Sequence, residues 1–193
     1  KVRETMFYES GIKKSVKHYK NGKPEGLIKF WFESGKKNSE THYKNGKEEG
    51  LVTQWYKNGN KLYEATNKNG NREGLSTWWY QTGQKNSEVN YKNGIREGLE
   101  TYWYKNGKKI IEKHFKNGKE NGLWTEWNEE GKITFQANFV DGNEQSGKIR
   151  TAESSPPQPS IPQPPKSKDV AIATGTGFLF GSQDYIVTNY HVV

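Results

Sequence analysis

Cysteine is absent from the 193 residues, so neither a disulfide nor a thiolate metal site can hold this chain together, and its redox compartment goes unmarked. Apolar residues are scarce at 30%, too few for one thick globular core at this length. Long hydrophobic runs are missing too. No stretch approaches the ~18 apolar residues of a membrane-spanning helix, and no signal-like segment opens the chain. Such polarity ordinarily marks disorder, yet 7 Trp, 11 Tyr and 8 Phe are more ring surface than a disordered chain carries. Thin, aromatic-rich β structure reconciles these facts.

What is abundant is repetition. Gly26, Gly50, Gly74, Gly98 and Gly122 fall 24 residues apart, each followed by a leucine. Trp31, Trp55, Trp79, Trp103 and Trp127 keep the same step, and so do Gly11, Gly35, Gly59, Gly83, Gly107 and Gly131. Asn-Gly or Asp-Gly recurs from Asn21-Gly22 to Asp141-Gly142. In this register Phe7 takes a tryptophan slot, so Lys1 to Tyr8 reads as the first strand of a copy and is silent about a leader upstream.

Each unit reads as two strands and two turns. In Leu51-Val52-Thr53-Gln54-Trp55-Tyr56 the slots of Leu51, Thr53 and Trp55 recur nearly unchanged and share one face by the period-two rule. That Leu/Trp face is the expected core. The intervening slots vary: Ile28, Val52, Ser76, Glu100 and Trp124, then Phe30, Gln54, Trp78, Tyr102 and Glu126. Asn-Gly between alternating strands signals a type I′ hairpin, which needs positive φ at both central residues. The fold class is therefore all-β, an elongated antiparallel meander of hairpin repeats. Five to six units would extend about 50 to 60 Å.

The run NGKEEGLVTQWYKNGNKLYE, from Asn45 to Glu64, resembles the MORN repeat family, in the variant found in YwqK-type proteins described as antitoxins. The resemblance covers residues 1–148. It implies protein or membrane-surface association and no catalysis by the repeats. Because a repeat array is a scaffold, its site falls to the variable positions. The candidate binding side chains are therefore Phe30, Trp78, Tyr102 and Trp124.

The formal net charge is +8, and Lys20, Lys44, Lys68, Lys92 and Lys116 line one row of turn tips. Such a row could engage an anionic membrane surface or an acidic polymer. Glu25, Glu49, Glu73 and Glu97, with Glu40, Glu64, Glu88 and Glu112 in the second strands, favour instead a solvated rim of cross-strand ion pairs. No RNP-like motif or basic recognition helix appears, so nucleic acid is not an expected partner. His18, His42 and His114 share a slot with Thr66 and Asn90, which argues for exposed strand positions and against a metal ladder. No cofactor is expected.

Composition changes after Gly147. Residues 149–169 include SSPPQPSIPQPPK and hold all but one of the 7 prolines, a composition that favours extended polyproline II and suits a spacer. Residues 170–193 lose the repeat pattern, and two β-rich runs, 176–180 and 185–189, flank a Gly-Ser-Gln-Asp turn. This segment resembles the opening of trypsin-like serine peptidases of the HtrA and related bacterial type. Gly175-Thr176-Gly177-Phe178 and Thr188-Asn189-Tyr190-His191-Val192 match that family in order and spacing. The resemblance makes the segment the start of a truncated β-barrel, makes His191 the general base of a triad, and favours an extracytoplasmic location. The family's aspartate and Gly-x-Ser-Gly-Gly nucleophile lie beyond Val193, so these residues alone are expected to be catalytically incomplete.

Three functions follow as expectations. The array is the docking module of a serine endopeptidase and binds a protein partner or polypeptide substrate. Alternatively it is a standalone, antitoxin-like interaction scaffold, or a binder of anionic membrane surfaces through its lysine rim.

Overall fold

The computed structural model describes residues 1–145, together with the backbone pairing of residues 149–150, 178–180 and 186–188. The chain divides into two units, Lys1–Gln158 and Pro159–Val193. In the first, the strands Val2–Phe7, Lys13–Lys20, Gly26–Trp31, Lys37–Lys44, Lys47–Trp55 and Lys61–Lys68 pair antiparallel in chain order. The meander continues through Gly74–Trp79, Lys85–Lys92, Ile95–Trp103, Lys109–Lys116, Gly122–Trp127 and Ile133–Val140. Ile149–Arg150 pairs against Phe135 and Gln136. No helix occurs among the described residues. In the second unit Phe178–Phe180 pairs antiparallel with Ile186–Thr188, within the two β-rich runs. The rest of the proline-rich spacer, and His191, lie outside the described residues.

Turn chemistry fixes the hairpins. Asn93 sits at φ 51° and Gly94 at φ 82°, both left-handed as a type I′ turn requires. Asn21-Gly22, Asn45-Gly46, Asn69-Gly70, Asn117-Gly118 and Asp141-Gly142 repeat this geometry. Neighbouring turns are tied together: the Gly94 N–H donates to the Arg72 carbonyl at 2.8 Å, and Gly70 to that of Glu48 at 2.9 Å. At the opposite edge the hydroxyls of Tyr8, Tyr56, Tyr80 and Tyr104 donate to the carbonyls of Trp31, Trp79, Trp103 and Trp127. These bonds join successive units at both edges of the sheet, except where Phe32 takes the tyrosine slot.

The core lies on the face opposite to the one expected. Leu51, Leu75, Leu99 and Leu123 are 37–48% exposed, whereas Val52 and Ala65 from the varying face are 1% and 2% exposed. Each unit also carries a β-bulge, where the register slips between Gln54 and Trp55 and again between Tyr102 and Trp103. A bulge adds a residue to one strand and increases bend and twist. The added residues Leu62 and Ile110 are buried and join the clusters Val52–Leu62–Tyr63–Ala65 and Tyr102–Tyr104–Ile110–Ile111. Repetition from unit to unit therefore did not mark burial.

Candidate functional site

The varying slots build a packed lattice. Tyr63 and Trp78 lie 4.7 Å apart between ring centroids, and the Arg72 guanidinium stands 5.5 Å from each and 5.2 Å from Tyr91. Tyr43 donates to Glu48 Oε1 at 3.3 Å, and Asn67 Nδ2 donates to the other oxygen. Burial pushes the Glu48 carboxyl above its ordinary range, opposed by these donors and by Arg72. Glu100, 2% exposed, accepts from the Tyr102 hydroxyl at 2.5 Å, stands 3.5 Å from Arg96 and faces Lys113 across the strands. Lys113 Nζ lies 3.7 Å from the Trp124 ring centroid. Burial draws its ammonium below the ordinary lysine value even though Glu100 and Glu120 pull the other way.

All four candidate aromatics lie on this face, each engaged by its neighbours. Phe30 sits under Lys17, Trp78 against Tyr63, and Trp124 against Phe135 and Phe139. Tyr102 is 8% exposed and bonded to Glu100. Among the described residues no group of three or more His, Asp or Glu side chains could hold a metal ion.

The Leu/Trp face has a different form. Thr53, Thr77, Thr101 and Thr125 are buried, at 3–7% exposure, midway along strands that carry an exposed leucine on one side and a half-buried tryptophan on the other. Across the strands these threonines alternate in register with Glu40, Glu64, Glu88 and Glu112. The leucine and tryptophan rows on either side stand about 13 Å apart, four residues along a strand. In the tryptophan row Lys37, Lys61, Lys85 and Lys109 stand 5.3–5.8 Å from the rings of Trp55, Trp79, Trp103 and Trp127. The same ammonium groups pair with Glu40, Glu64, Glu88 and Glu112. None of Trp31, Trp55, Trp79, Trp103 and Trp127 spends its indole N–H on an acceptor among the described residues, in contrast to Trp124, which donates to Glu126.

Beyond the leucine row, Lys20, Lys44, Lys68, Lys92 and Lys116 are exposed and stand outside every ion pair among the described residues. Glu25, Glu49, Glu73 and Glu97 are not free counter-charges. Each accepts the N–H of the turn asparagine one unit on, as Glu73 does from Asn93 at 2.8 Å. That link joins residues 20 apart and leaves no signal within one unit. Of the shared histidine slot, His42 and His114 are exposed. His18 Nδ1 lies 2.9 Å from the Leu27 carbonyl, so it carries the proton and donates, the part Asn90 plays toward Leu99. At the first two units Leu27, His42 and Lys44 help line an open depression of about 600 Å³.

A family model described as MORN repeat variant matches residues 3–21, 24–45, 48–69, 72–93, 96–117 and 120–141. No curated protein matches the chain.

Proposed function

The chain belongs to the MORN repeat variant family, and on that premise we propose that its array is the polypeptide-docking module of a trypsin-like serine endopeptidase. The observation that carries the docking role is the row of exposed leucines on the Leu/Trp face. Four leucines that a monomeric core would bury are 37–48% exposed, one per unit in register, and such a row gives the array a repeated apolar contact for a partner. The peptidase assignment rests on Gly175-Thr176-Gly177-Phe178 and Thr188-Asn189-Tyr190-His191-Val192. His191 would take the proton of the attacking serine and return it to the leaving amine. Residues 149–169 would then space a docking array, residues 1–148, from a catalytic domain opening at residue 170. The likeness to YwqK-type proteins supports the same docking surface without the peptidase, as a standalone scaffold.

The full-length protein tests both halves. His191→Ala is expected to abolish proteolysis while the array keeps its β-sheet circular dichroism. Leu75→Asp combined with Leu99→Asp is expected to raise KM for an unfolded protein substrate roughly tenfold. Unchanged proteolysis by His191→Ala overturns the catalytic assignment. An unchanged KM overturns docking at the leucine row.

A further inference from the structure

Building on the docking reading, we propose that the array selects polypeptides carrying an acidic segment and holds that segment along the sheet edge formed by its Asn-Gly turns. In three of these hairpins two lysines are direct cross-strand partners: Lys20 with Lys23, Lys44 with Lys47 and Lys116 with Lys119. Lys68 and Lys92 hold the same place in the two turns between. All eight are exposed, and none takes part in an ion pair among the described residues. Like charges set opposite one another destabilise a sheet. A scaffold gains nothing from such pairs, whereas an anionic partner would relieve their repulsion on binding.

The same edge carries Glu25, Glu49, Glu73 and Glu97, but each carboxylate is held by a turn N–H one unit on, at 2.7–2.8 Å. They are half as many as the lysines, so the edge stays positive. At the opposite edge Lys36 and Lys108 donate to the carbonyls of Asn58 and Glu130, and Lys132 pairs with Glu130. The spacing of the free ammonium groups is fixed by the bonds between successive turns at Gly46, Gly70, Gly94 and Gly118. The Lys23 stem lies over the next turn, where a Cβ on Gly46 would meet its Cβ at 3.5 Å. Units repeat every two strands, so cations recur about every 10 Å, close to three residues of an extended chain. Lysine is a point charge on a flexible stem and reaches carboxylates on either side of such a chain. Leu51 and Leu99 pair with Thr66 and His114, two residues from Lys68 and Lys116 on the same face. Apolar side chains next to the acidic segment therefore fall within reach of the leucine row.

The test is fluorescence anisotropy of a labelled peptide rich in Glu and Asp, titrated with the full chain at low and at physiological salt. A second peptide carries Gln and Asn at the same positions. Lys44→Gln/Lys68→Gln/Lys92→Gln clears the middle of the edge, and Lys36→Gln/Lys57→Gln/Lys105→Gln removes the same charge from the opposite edge. The acidic peptide is expected to bind about tenfold more tightly than the amide form and to weaken with salt. It should lose about tenfold in the first variant and little in the second. Equal losses in the two variants, equal binding of the two peptides, or no binding of the acidic one overturns the inference. Inorganic polyphosphate and phosphatidylserine vesicles are titrated in parallel. Tighter binding of either at the same lysines gives the edge to that occupant and likewise overturns it. A raised KM in Leu75→Asp/Leu99→Asp without acidic-peptide binding would leave docking standing and remove only the acidic segment. Acidic-peptide binding with an unchanged KM would do the reverse, removing docking at the leucine row and leaving the edge.

Discussion

The Tyr80 hydroxyl donates to the Trp103 carbonyl at 2.7 Å, joining one unit to the next across 23 residues. Tyr8, Tyr56 and Tyr104 make the same bond, but Phe32 fills this slot in the second unit and leaves the Trp55 carbonyl without it. Phe32→Tyr is therefore expected to stabilise the array by about 1 kcal/mol, read as a higher urea midpoint. Tyr80→Phe should lower the midpoint by a comparable amount. A fall in midpoint for Phe32→Tyr would show that the second unit is not equivalent to the others.

Gly22 and Gly118 occupy the same turn position but have different surroundings. Both have positive φ, +72° and +80°, yet a Cβ on Gly22 would meet nothing within 4 Å whereas one on Gly118 would meet Ile95 Cγ2 at 3.1 Å. Gly22→Ala should lose only the left-handed backbone penalty of about 1 kcal/mol. Gly118→Ala adds a contact with a branched side chain and should melt lower. Equal melting temperatures would mean that Ile95 moves aside freely.

Stability should also fall off toward the end of the array. Trp79 is half-buried in a central unit, with Lys61 5.5 Å from its ring centroid, while Phe7, in the equivalent slot of the first strand, is 57% exposed. Trp79→Ala is expected to cost about 3 kcal/mol and Phe7→Ala well under half of that, because each unit leans only on its neighbours. Equal losses in denaturant titration would count against a one-dimensional array.

Two phenols make the sheet sensitive to alkali. Burial, with Glu48 beside Tyr43 and Glu100 beside Tyr102, pushes both hydroxyls well above the ordinary tyrosine value of 10.0. The folded state thus holds protons that the unfolded chain releases near pH 10. Their stabilisation is complete below that pH and is lost as pH rises through the folded-state values. Spectrophotometric titration should leave two tyrosines un-ionised until the sheet unfolds. Tyr102→Phe should flatten the decline of the urea midpoint above pH 10.

Much of this architecture was legible because it rests on local rules. The 24-residue step, the strand from Lys85 and the positive φ of Asn93 and Gly94 follow from period-two patterning and turn chemistry. Leu51, Thr53 and Trp55 do share one face, but on it Leu51 is exposed and Thr53 lies between Glu40 and Glu64, and the apolar core is on the other side. Recurrence reports that a slot does the same job in every unit, not that the job is burial. Leu62 and Ile110 could not be recognised as bulge residues, since any residue type can fill that slot: its other occupants include Lys14 and Asn86. Glu73 looked like a surface counter-charge because its partner, Asn93, belongs to the next unit.

The bonded turn glycines carry one last consequence, for chemical ageing. Asn-Gly is the dipeptide most prone to deamidate, since the glycine nitrogen can lose its proton and attack the asparagine side-chain carbonyl to close a succinimide. At four of the array's Asn-Gly turns that nitrogen is occupied: Gly46, Gly70, Gly94 and Gly118 donate their N–H to Pro24, Glu48, Arg72 and Arg96 at 2.8–3.0 Å. The left-handed pair also holds the backbone in a single turn geometry. The bonds that set the spacing between units therefore withhold the nucleophile that would convert asparagine to isoaspartate. Folding acts as a clock-stopper, and once a unit opens its Asn-Gly turn begins to age.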